Sequence, residues 1–230
     1  MKKVLWSFAL IIFALPFCRL APGQAAEPAP SASEAPAPSL DDQFLTAVQK
    51  GDAAAVGDLL KKGANIEATG KGGFTGLIAA AAMSHVDVVR LLLDKGAKLD
   101  TRDERGDTAL HYAVMVANLE EVKMLVAKGA NVNIGESDGL TPLMLSIVSA
   151  SPEVVKLLLE NGANTEAKDK NGYTALMAAS GGGLANLVRM LLGKGANINA
   201  QADDGTTPLK LAVKNKKTEV ETLLRENGAK

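Results

Sequence analysis

Apolar residues recur at helical spacing in short stretches along residues 41–230. After Thr108, for example, Leu110, Ala113 and Val114 lie two, five and six positions further on, which places them on one face of a helix. A second apolar stretch follows each such face, as in the run 154–159. The pattern predicts pairs of short amphipathic helices, and a small alanine on the first helix of a pair allows close helix approach.

Two sets of residues repeat every 33 positions and fix the register of these helix pairs. Gly-Ala recurs at Gly63, Gly96, Gly129, Gly162, Gly195 and Gly228. Threonine recurs at Thr75, Thr108, Thr141, Thr174 and Thr207, each with Gly two positions before it and Leu two positions after it. Because both sets hold one period over five or six copies, the sequence predicts a stack of repeated units.

The residue chemistry of one unit explains where its helices begin and end. Thr141 is followed by Pro142, which pairs a capping hydroxyl with a residue whose missing N–H costs nothing in a first helical turn. The glycine of Gly-Ala adopts the left-handed conformation that ends a helix without steric cost. Turn-forming residues such as those at 169–172 then predict a projecting hairpin, here called a finger.

These residues resemble the ankyrin repeat, whose pattern is close to D-x-x-G-x-T-P-L-H-x-A-A followed by V-V-x-L-L-L-x-x-G-A-x-x-N. Over residues 41–230 the resemblance implies an all-α solenoid of about six helix-turn-helix repeats with β-hairpin fingers. The units run 41–68 (N-terminal cap), 69–101, 102–134, 135–167, 168–200 and 201–230 (C-terminal cap). Thr-Pro-Leu-His is nowhere complete, since only His111 supplies the histidine.

The first 26 residues are typical of a signal peptide. Lys2 and Lys3 precede a mainly apolar run at 4–17, too short for a membrane span of roughly 20 residues, and small residues at 23–26 suit cleavage after Ala25 or Ala26. An uncleaved anchor and a lipoprotein attached through Cys18 are the alternatives. Residues 27–40, rich in Pro, Ala and Ser, predict an extended linker.

Signal removal changes the charge and the cysteine content. The 25 basic residues lose Lys2, Lys3 and Arg19, so 22 remain against 26 acidic residues, a net charge of −4. The mature chain has no cysteine and therefore no disulfide. Its acidity gives no electrostatic footprint for nucleic acid. We expect export to the periplasm or secretion, and no membrane insertion after cleavage.

The residues that could carry chemistry do not converge. His85 and His111 are the only histidines, which leaves a zinc site without a third ligand. Most acidic residues fall in finger segments, where Asp is typical of turns, and no single finger has the dense oxygen ligands of a calcium loop. The sequence therefore predicts no catalytic residue, no cofactor and no metal site.

Apolar residues that the repeat does not need indicate a binding surface. Positions four, seven and eight after each threonine are expected on the concave side, with finger residues beside them. The candidate partner-binding residues are Phe74, Met83, Asp107, Tyr112, Met115, Val116, Leu140, Leu145, Val148 and Tyr173. Asp107 belongs to an acidic rim. An exposed apolar patch of this kind marks an interaction site; the alternative is that these side chains pack against neighbouring fingers and helices.

The resemblance implies protein binding. We therefore expect an exported, monomeric module that holds a protein partner on its concave face. Two alternatives remain open: an immunity or antitoxin-like inhibitor of a toxin, and a structural scaffold of the cell envelope.

Overall fold

This computed structural model describes residues 37–230, which form six consecutive pairs of helices joined by turns and loops. The inner helices are α1 Leu40–Gln49, α3 Gly76–Ala82, α5 Ala109–Met115, α7 Pro142–Val148, α9 Ala175–Gly182 and α11 Pro208–Lys214. The outer helices are α2 Ala53–Lys61, α4 Val86–Asp94, α6 Leu119–Ala127, α8 Pro152–Glu160, α10 Ala185–Gly193 and α12 Thr218–Glu226. The predicted signal peptide and residues 27–36 of the predicted linker lie outside the described residues.

The repeated threonines cap the inner helices, as their spacing predicts. Thr75 Oγ1 accepts a hydrogen bond from the backbone N–H of Ile78 at 3.3 Å, and Thr141, Thr174 and Thr207 make the same bond in their repeats. In the first repeat Asp42 stands in register with the threonines, and the inner helix begins three residues earlier, where Ser39 forms a reciprocal capping box with Asp42. The first repeat therefore starts its inner helix without the threonine of the other repeats.

Each inner helix is joined to its outer helix through one residue in the left-handed conformation. These residues are Gly51, Ser84, Ala117, Ala150, Gly183 and Lys216, with φ between 49° and 76°. Only two of the six are glycines, although an L side chain in this region costs about 1 kcal/mol or more. The sharp reversal is therefore maintained by the packing of the two helices in most repeats.

Inner helices pack on inner helices and outer helices on outer helices along the stack, and each pair packs on itself. A continuous apolar core results, reaching from Phe44 in the first repeat to Leu224 in the last. Val56, Val89, Val122, Val155 and Val188 repeat the same buried position on five successive outer helices. Burial between neighbours is therefore what holds the units together.

Two rows of hydrogen bonds also join successive repeats. In the fingers, Ser137 N–H donates to the carbonyl of Arg105 at 2.9 Å and Lys170 N–H to that of Asp138 at 2.8 Å. After the outer helices, the N–H of Asn131 donates to Asp100 Oδ1 at 3.0 Å, and Lys98, Asn164, Asn197 and Lys230 make equivalent bonds to the preceding repeat. These bonds fix the spacing of the units at both edges of the stack.

The predicted all-α solenoid is confirmed, and its fingers are loops. Within residues 37–230 no strand forms, and the one isolated β-bridge pairs Thr69 with Thr75. A finger such as 103–107 closes with two backbone bonds, from Asp103 N–H to the Asp107 carbonyl at 2.9 Å and from Gly106 N–H to the Asp103 carbonyl at 3.0 Å. It is too short to build a ladder. Of the helices in this part of the chain, none has both the length and the apolar character to cross a membrane.

Candidate functional site

The last turns of the central inner helices expose apolar side chains in a row. Met83 is 50 % exposed, Val116 36 % and Val148 53 %. Met115 is half-buried against the core. We call the surface formed at these positions in the second to fifth repeats the inner-helix floor; its members are Ala82, Met83, Met115, Val116, Val148, Ser149, Gly181 and Gly182.

The inner-helix floor carries no charged residue, whereas its two ends do. The positions that correspond to Met83 and Gly181 are Lys50 in the first repeat and Lys214 in the last, and both lysines are exposed. The outer helices differ: there Arg90 pairs with Glu120 at 2.7 Å and Lys128 with Asp94 at 2.9 Å, across repeat boundaries. The uncharged floor is therefore a distinct surface of the stack.

Three of the candidate residues are not exposed, which corrects the expected patch. Tyr112 is 7 % exposed, Leu145 4 % and Asp107 also only 5 %. The error concerns the residue four positions after each threonine, which lies near the start of the inner helix and is covered. Only the residues seven and eight positions after the threonine, at the end of the helix, reach the surface. Tyr112 and Leu145 therefore do not form the centre of an exposed patch, and Asp107 does not form its rim.

Tyr112 shows what covers the first turn. Its hydroxyl donates to Asp103 Oδ2 at 2.7 Å and accepts from the Arg105 guanidinium at 2.8 Å, so the third finger closes over it. The ring packs against Phe74 of the preceding finger, with centroids 5.3 Å apart. Burial raises the pKa of the Tyr112 phenol well above its usual value. Tyr112 is therefore a packing residue that joins finger to helix.

The finger residues Phe74, Leu140 and Tyr173 are half-buried. Phe74 and Leu140 pack against the main core, and Tyr173 against a smaller cluster that contains Met177 and Leu211. Most of the surface of these three side chains is therefore buried by packing, as in the alternative to an exposed binding patch.

Burial also perturbs the titration of two groups in the third repeat. It raises the pKa of Asp107 to about 6, against the opposing charge of Arg105, whose guanidinium lies 3.2 Å from the carboxylate. It lowers the pKa of His111 to about 4, so this histidine is neutral at pH 7. His111 Nδ1 accepts from the backbone N–H of Thr108 at 3.1 Å, which makes it part of the helix cap.

The potential chemical ligands are occupied in structural roles. The His85 ring nitrogen Nε2 lies 3.0 Å from the carbonyl of Gln49 in the preceding repeat. Among residues 37–230 there is no group of three His, Cys, Asp or Glu side chains that could hold a metal ion.

Two features escaped the sequence interpretation. Glu121 is fully buried in α6, and the left-handed residues between paired helices include non-glycines. Aligning the chain at its period would have revealed both: Glu121 falls in register with apolar residues such as Val88 and Val154, and Ala117 falls in register with Gly51 and Gly183.

Comparison with known proteins agrees with this architecture. The family model for ankyrin repeats in three copies matches residues 44–136, 101–169, 117–202 and 162–230. Among solved structures, 636 chains match. One is the crystal structure of the ankyrin repeat domain of Bcl-3, a unique member of the IkappaB protein family; it is 30 % identical, with a TM-score of 0.76, over 83 % of this chain and 87 % of that one. No curated protein matches in sequence. Ankyrin repeats generally mediate protein–protein interaction, and this chain belongs to the ankyrin-repeat family.

Proposed function

We propose that this protein is an exported binding module that holds a protein partner on the inner-helix floor. The observation that carries the proposal is the row of exposed Met83, Val116 and Val148 on a surface without charges. Such a surface favours a partner that presents an apolar segment, because burial of apolar area supplies the free energy and no charge on the floor has to be desolvated.

The inner-helix floor is better suited than the fingers to supply most of the binding energy of an interface. Methionine is enriched at interfaces and adapts its shape to a partner, and Met83 and Met115 lie on neighbouring repeats of the floor. The fingers carry mixed charges, such as the exposed pair formed by Lys170 of the fifth finger and Asp138 of the fourth, 2.7 Å apart. Charges of this kind influence the association rate more than the affinity.

The test begins with capture of the partner and ends with a matched pair of variants. A photoreactive residue at position 116 is expected to crosslink the partner in cells, and one at position 123, on the opposite exposed side of the third repeat, is not. With the purified partner, Val116→Asp is expected to weaken binding at least about tenfold.

Val213→Asp is the control for that loss. Val213 is 45 % exposed, but it lies on the end face of the last repeat, at the position buried as Val114 and Ile147 in earlier repeats. We expect its substitution to change affinity less than about twofold. Equal effects of the two substitutions would show that the floor is not the site.

Export rests on the sequence of residues 1–26 and has its own test. The intact mass of the protein purified from the periplasm or the medium is expected to begin at Ala26 or Glu27, without Trp6. Retention of Trp6, or a lipid on Cys18, would contradict cleavage at this site.

A further inference from the structure

The outer helix of the third repeat buries a carboxyl group that has no partner. Glu121 is 0 % exposed, and neither of its carboxyl oxygens makes a hydrogen bond. Its backbone N–H does, donating to Asn118 Oδ1 at 3.2 Å, so the helix start is capped while the side chain is not. An unpartnered buried carboxyl group is costly when it ionises.

The same position is apolar in the other repeats that share this helix pattern. Residues at multiples of 33 from Glu121 are Ala55, Val88, Val154, Leu187 and Val220; all five are apolar, and all but the half-buried Ala55 of the first repeat are buried. The helices that carry them all have 9 residues, like α6. The Glu121 carboxyl group therefore occupies a space that the stack otherwise fills with an aliphatic side chain.

The surroundings explain why no partner reaches it. A glutamate at the third position of a helix often accepts from the backbone N–H of the capping residue, but the Asn118 N–H already donates to the Ala113 carbonyl at 3.0 Å. Among the cations of the packed helices, Arg90 is paired with Glu120, Lys156 is paired with Glu160, and Lys123 is exposed. The backbone N–H of the capping residue and the cations of the two neighbouring outer helices are therefore engaged elsewhere.

The other charged groups of the packed helices lie at the exposed surface. They are Asp87, Arg90 and Asp94 on α4, Glu120 and Lys123 on α6, and Glu153, Lys156 and Glu160 on α8. On α5 the titratable groups are His111 and Tyr112, which lie near the start of that helix, whereas Glu121 follows the turn at its end. Glu120 is the neighbour whose charge adds to the effect of burial on Glu121.

Burial, and secondarily the charge of Glu120, raises the pKa of Glu121 from 4.5 to about 7. The folded state then holds this proton more tightly than the unfolded chain does. For such a group, the stability that is present below pH 4.5 is lost as the pH rises, and the loss is complete above about pH 7.

We propose that Glu121 makes the third repeat a pH-sensitive joint, in which ionisation of its carboxyl group loosens α6 from the helices packed against it. Those helices are α4, α8 and α5. Since α5 ends at Met115 and is capped by Val116, the joint lies behind the middle of the inner-helix floor. The device is independent of whether the floor binds a partner.

Urea unfolding between pH 4 and 9 tests the proposal with Glu121→Val, which installs the residue of the second and fourth repeats. Relative to this variant, the unfolding equilibrium constant of the wild-type protein is expected to rise about tenfold per pH unit between pH 4.5 and 7, about 300-fold in all, and then to level off. Other titrating groups, including Asp107, cancel in the difference. Glu153→Gln, at the exposed position of the fourth repeat that corresponds to Glu120, is the control and is expected to keep the wild-type profile.

Hydrogen exchange of backbone amides locates the effect. After correction for intrinsic exchange rates, the protection of α6 amides in the wild-type protein is expected to fall at least about tenfold from pH 6 to pH 8.5, and to stay constant in Glu121→Val. Parallel unfolding profiles for the wild-type protein and Glu121→Val would overturn the proposal. So would α6 amides as well protected as those of α8 at both pH values.

Discussion

The third and fourth repeats have helices of equal length, 7 residues inside and 9 outside, yet they enclose different side chains. At matching positions the third repeat has Asp103, Asp107, His111, Tyr112 and Glu121, and the fourth has Glu136, Leu140, Met144, Leu145 and Val154. All five positions of the third repeat are buried. The helix lengths are therefore set by the caps and by the apolar positions that the two repeats share. The other buried positions can carry polar groups without changing the helices.

Within the third repeat, the buried polar groups differ in how well they are satisfied. Asp103 accepts from the backbone N–H groups of Arg105 and Asp107 at 2.9 Å through Oδ1, and from Tyr112 through Oδ2. Glu121 accepts from none. A satisfied buried network stiffens its surroundings, while an unsatisfied group weakens them. One repeat thus combines a finger held by a buried, satisfied network with an outer helix that buries an unsatisfied carboxyl group.

Truncating the shared core gives the largest expected effect and tests what the two repeats have in common. Leu125 in α6 and Leu158 in α8 occupy the same position and are both 0 % exposed. We expect Leu125→Ala and Leu158→Ala each to lower the free energy of unfolding by about 2–5 kcal/mol, through lost burial and a residual cavity. Urea denaturation measures both; a loss below about 1 kcal/mol at Leu158 would mean that the buried face is wrongly assigned.

Removing one hydroxyl group tests the polar network that the fourth repeat lacks. Tyr112→Phe keeps the ring contact with Phe74 but leaves Asp103 Oδ2 and the Arg105 guanidinium without the phenol. Because both partners are charged, we expect a loss of about 2–3 kcal/mol in the free energy of unfolding. Tyr173→Phe, at the half-buried tyrosine of the fifth finger, is the control and is expected to cost less than about 0.5 kcal/mol. Equal losses would show that the hydroxyl bonds do not hold the finger.

The fold was predictable because its determinants are local and repeated. Threonine caps, glycine stops and apolar spacing each act within one turn of helix, and the period confirms them against one another over several copies. Thr141 and Thr174 cap their helices as expected. The fingers were predicted as β-hairpins but are loops. Turn residues show where the chain reverses, but they do not show whether enough backbone hydrogen bonds form to make two paired strands.

The site was predictable only in part, because exposure depends on contacts between repeats. Met83, Val116 and Val148 are exposed as expected, since the last turn of an inner helix has no element above it. Tyr112 and Leu145 are buried, and the third finger covers Tyr112 through Asp103 and Arg105. Helical periodicity says which residues share a face, but it does not say how far along that face the neighbouring finger extends.

Neutralising a carboxylate tests whether pH sensitivity is confined to the third repeat. Burial raises the pKa of Asp107 from 3.8 to about 6, so ionised Asp107 costs stability as the pH rises through this range. Asp107→Asn is uncharged throughout. Relative to the wild-type protein, we expect it to gain about 1–3 kcal/mol in the free energy of unfolding between pH 3.5 and pH 8.

Asp138→Asn is the matched control for that change, in the finger of the fourth repeat. Asp138 is exposed and pairs with Lys170 at the surface, where an ion pair contributes at most about 1 kcal/mol. Its substitution is expected to leave the pH profile parallel to that of the wild-type protein. If Asp107→Asn also gives a parallel profile, the Arg105 ion pair compensates the burial of Asp107 and the third finger is not pH-sensitive.

The smallest expected effect concerns a position where the two repeats agree. Ala117 and Ala150 join inner to outer helix with φ of 53° and 49°, and both are exposed, so a glycine there removes strain without opening a cavity. The first and fifth repeats already have glycine, Gly51 and Gly183. The gain is partly offset because glycine also makes the unfolded chain more flexible. We therefore expect Ala117→Gly and Ala150→Gly each to raise the free energy of unfolding by about 0.5–1 kcal/mol, measured by urea denaturation.

The reverse change, Gly183→Ala, is expected to lower the free energy of unfolding by at least as much, because an added Cβ would also lie 2.7 Å from the Lys217 side chain. A gain in the free energy of unfolding for Ala150→Gly with none for Ala117→Gly would show that the backbone strain differs between the two repeats. The conformation of Ala117 would then depend on the buried polar side chains of the third repeat rather than on the turn itself.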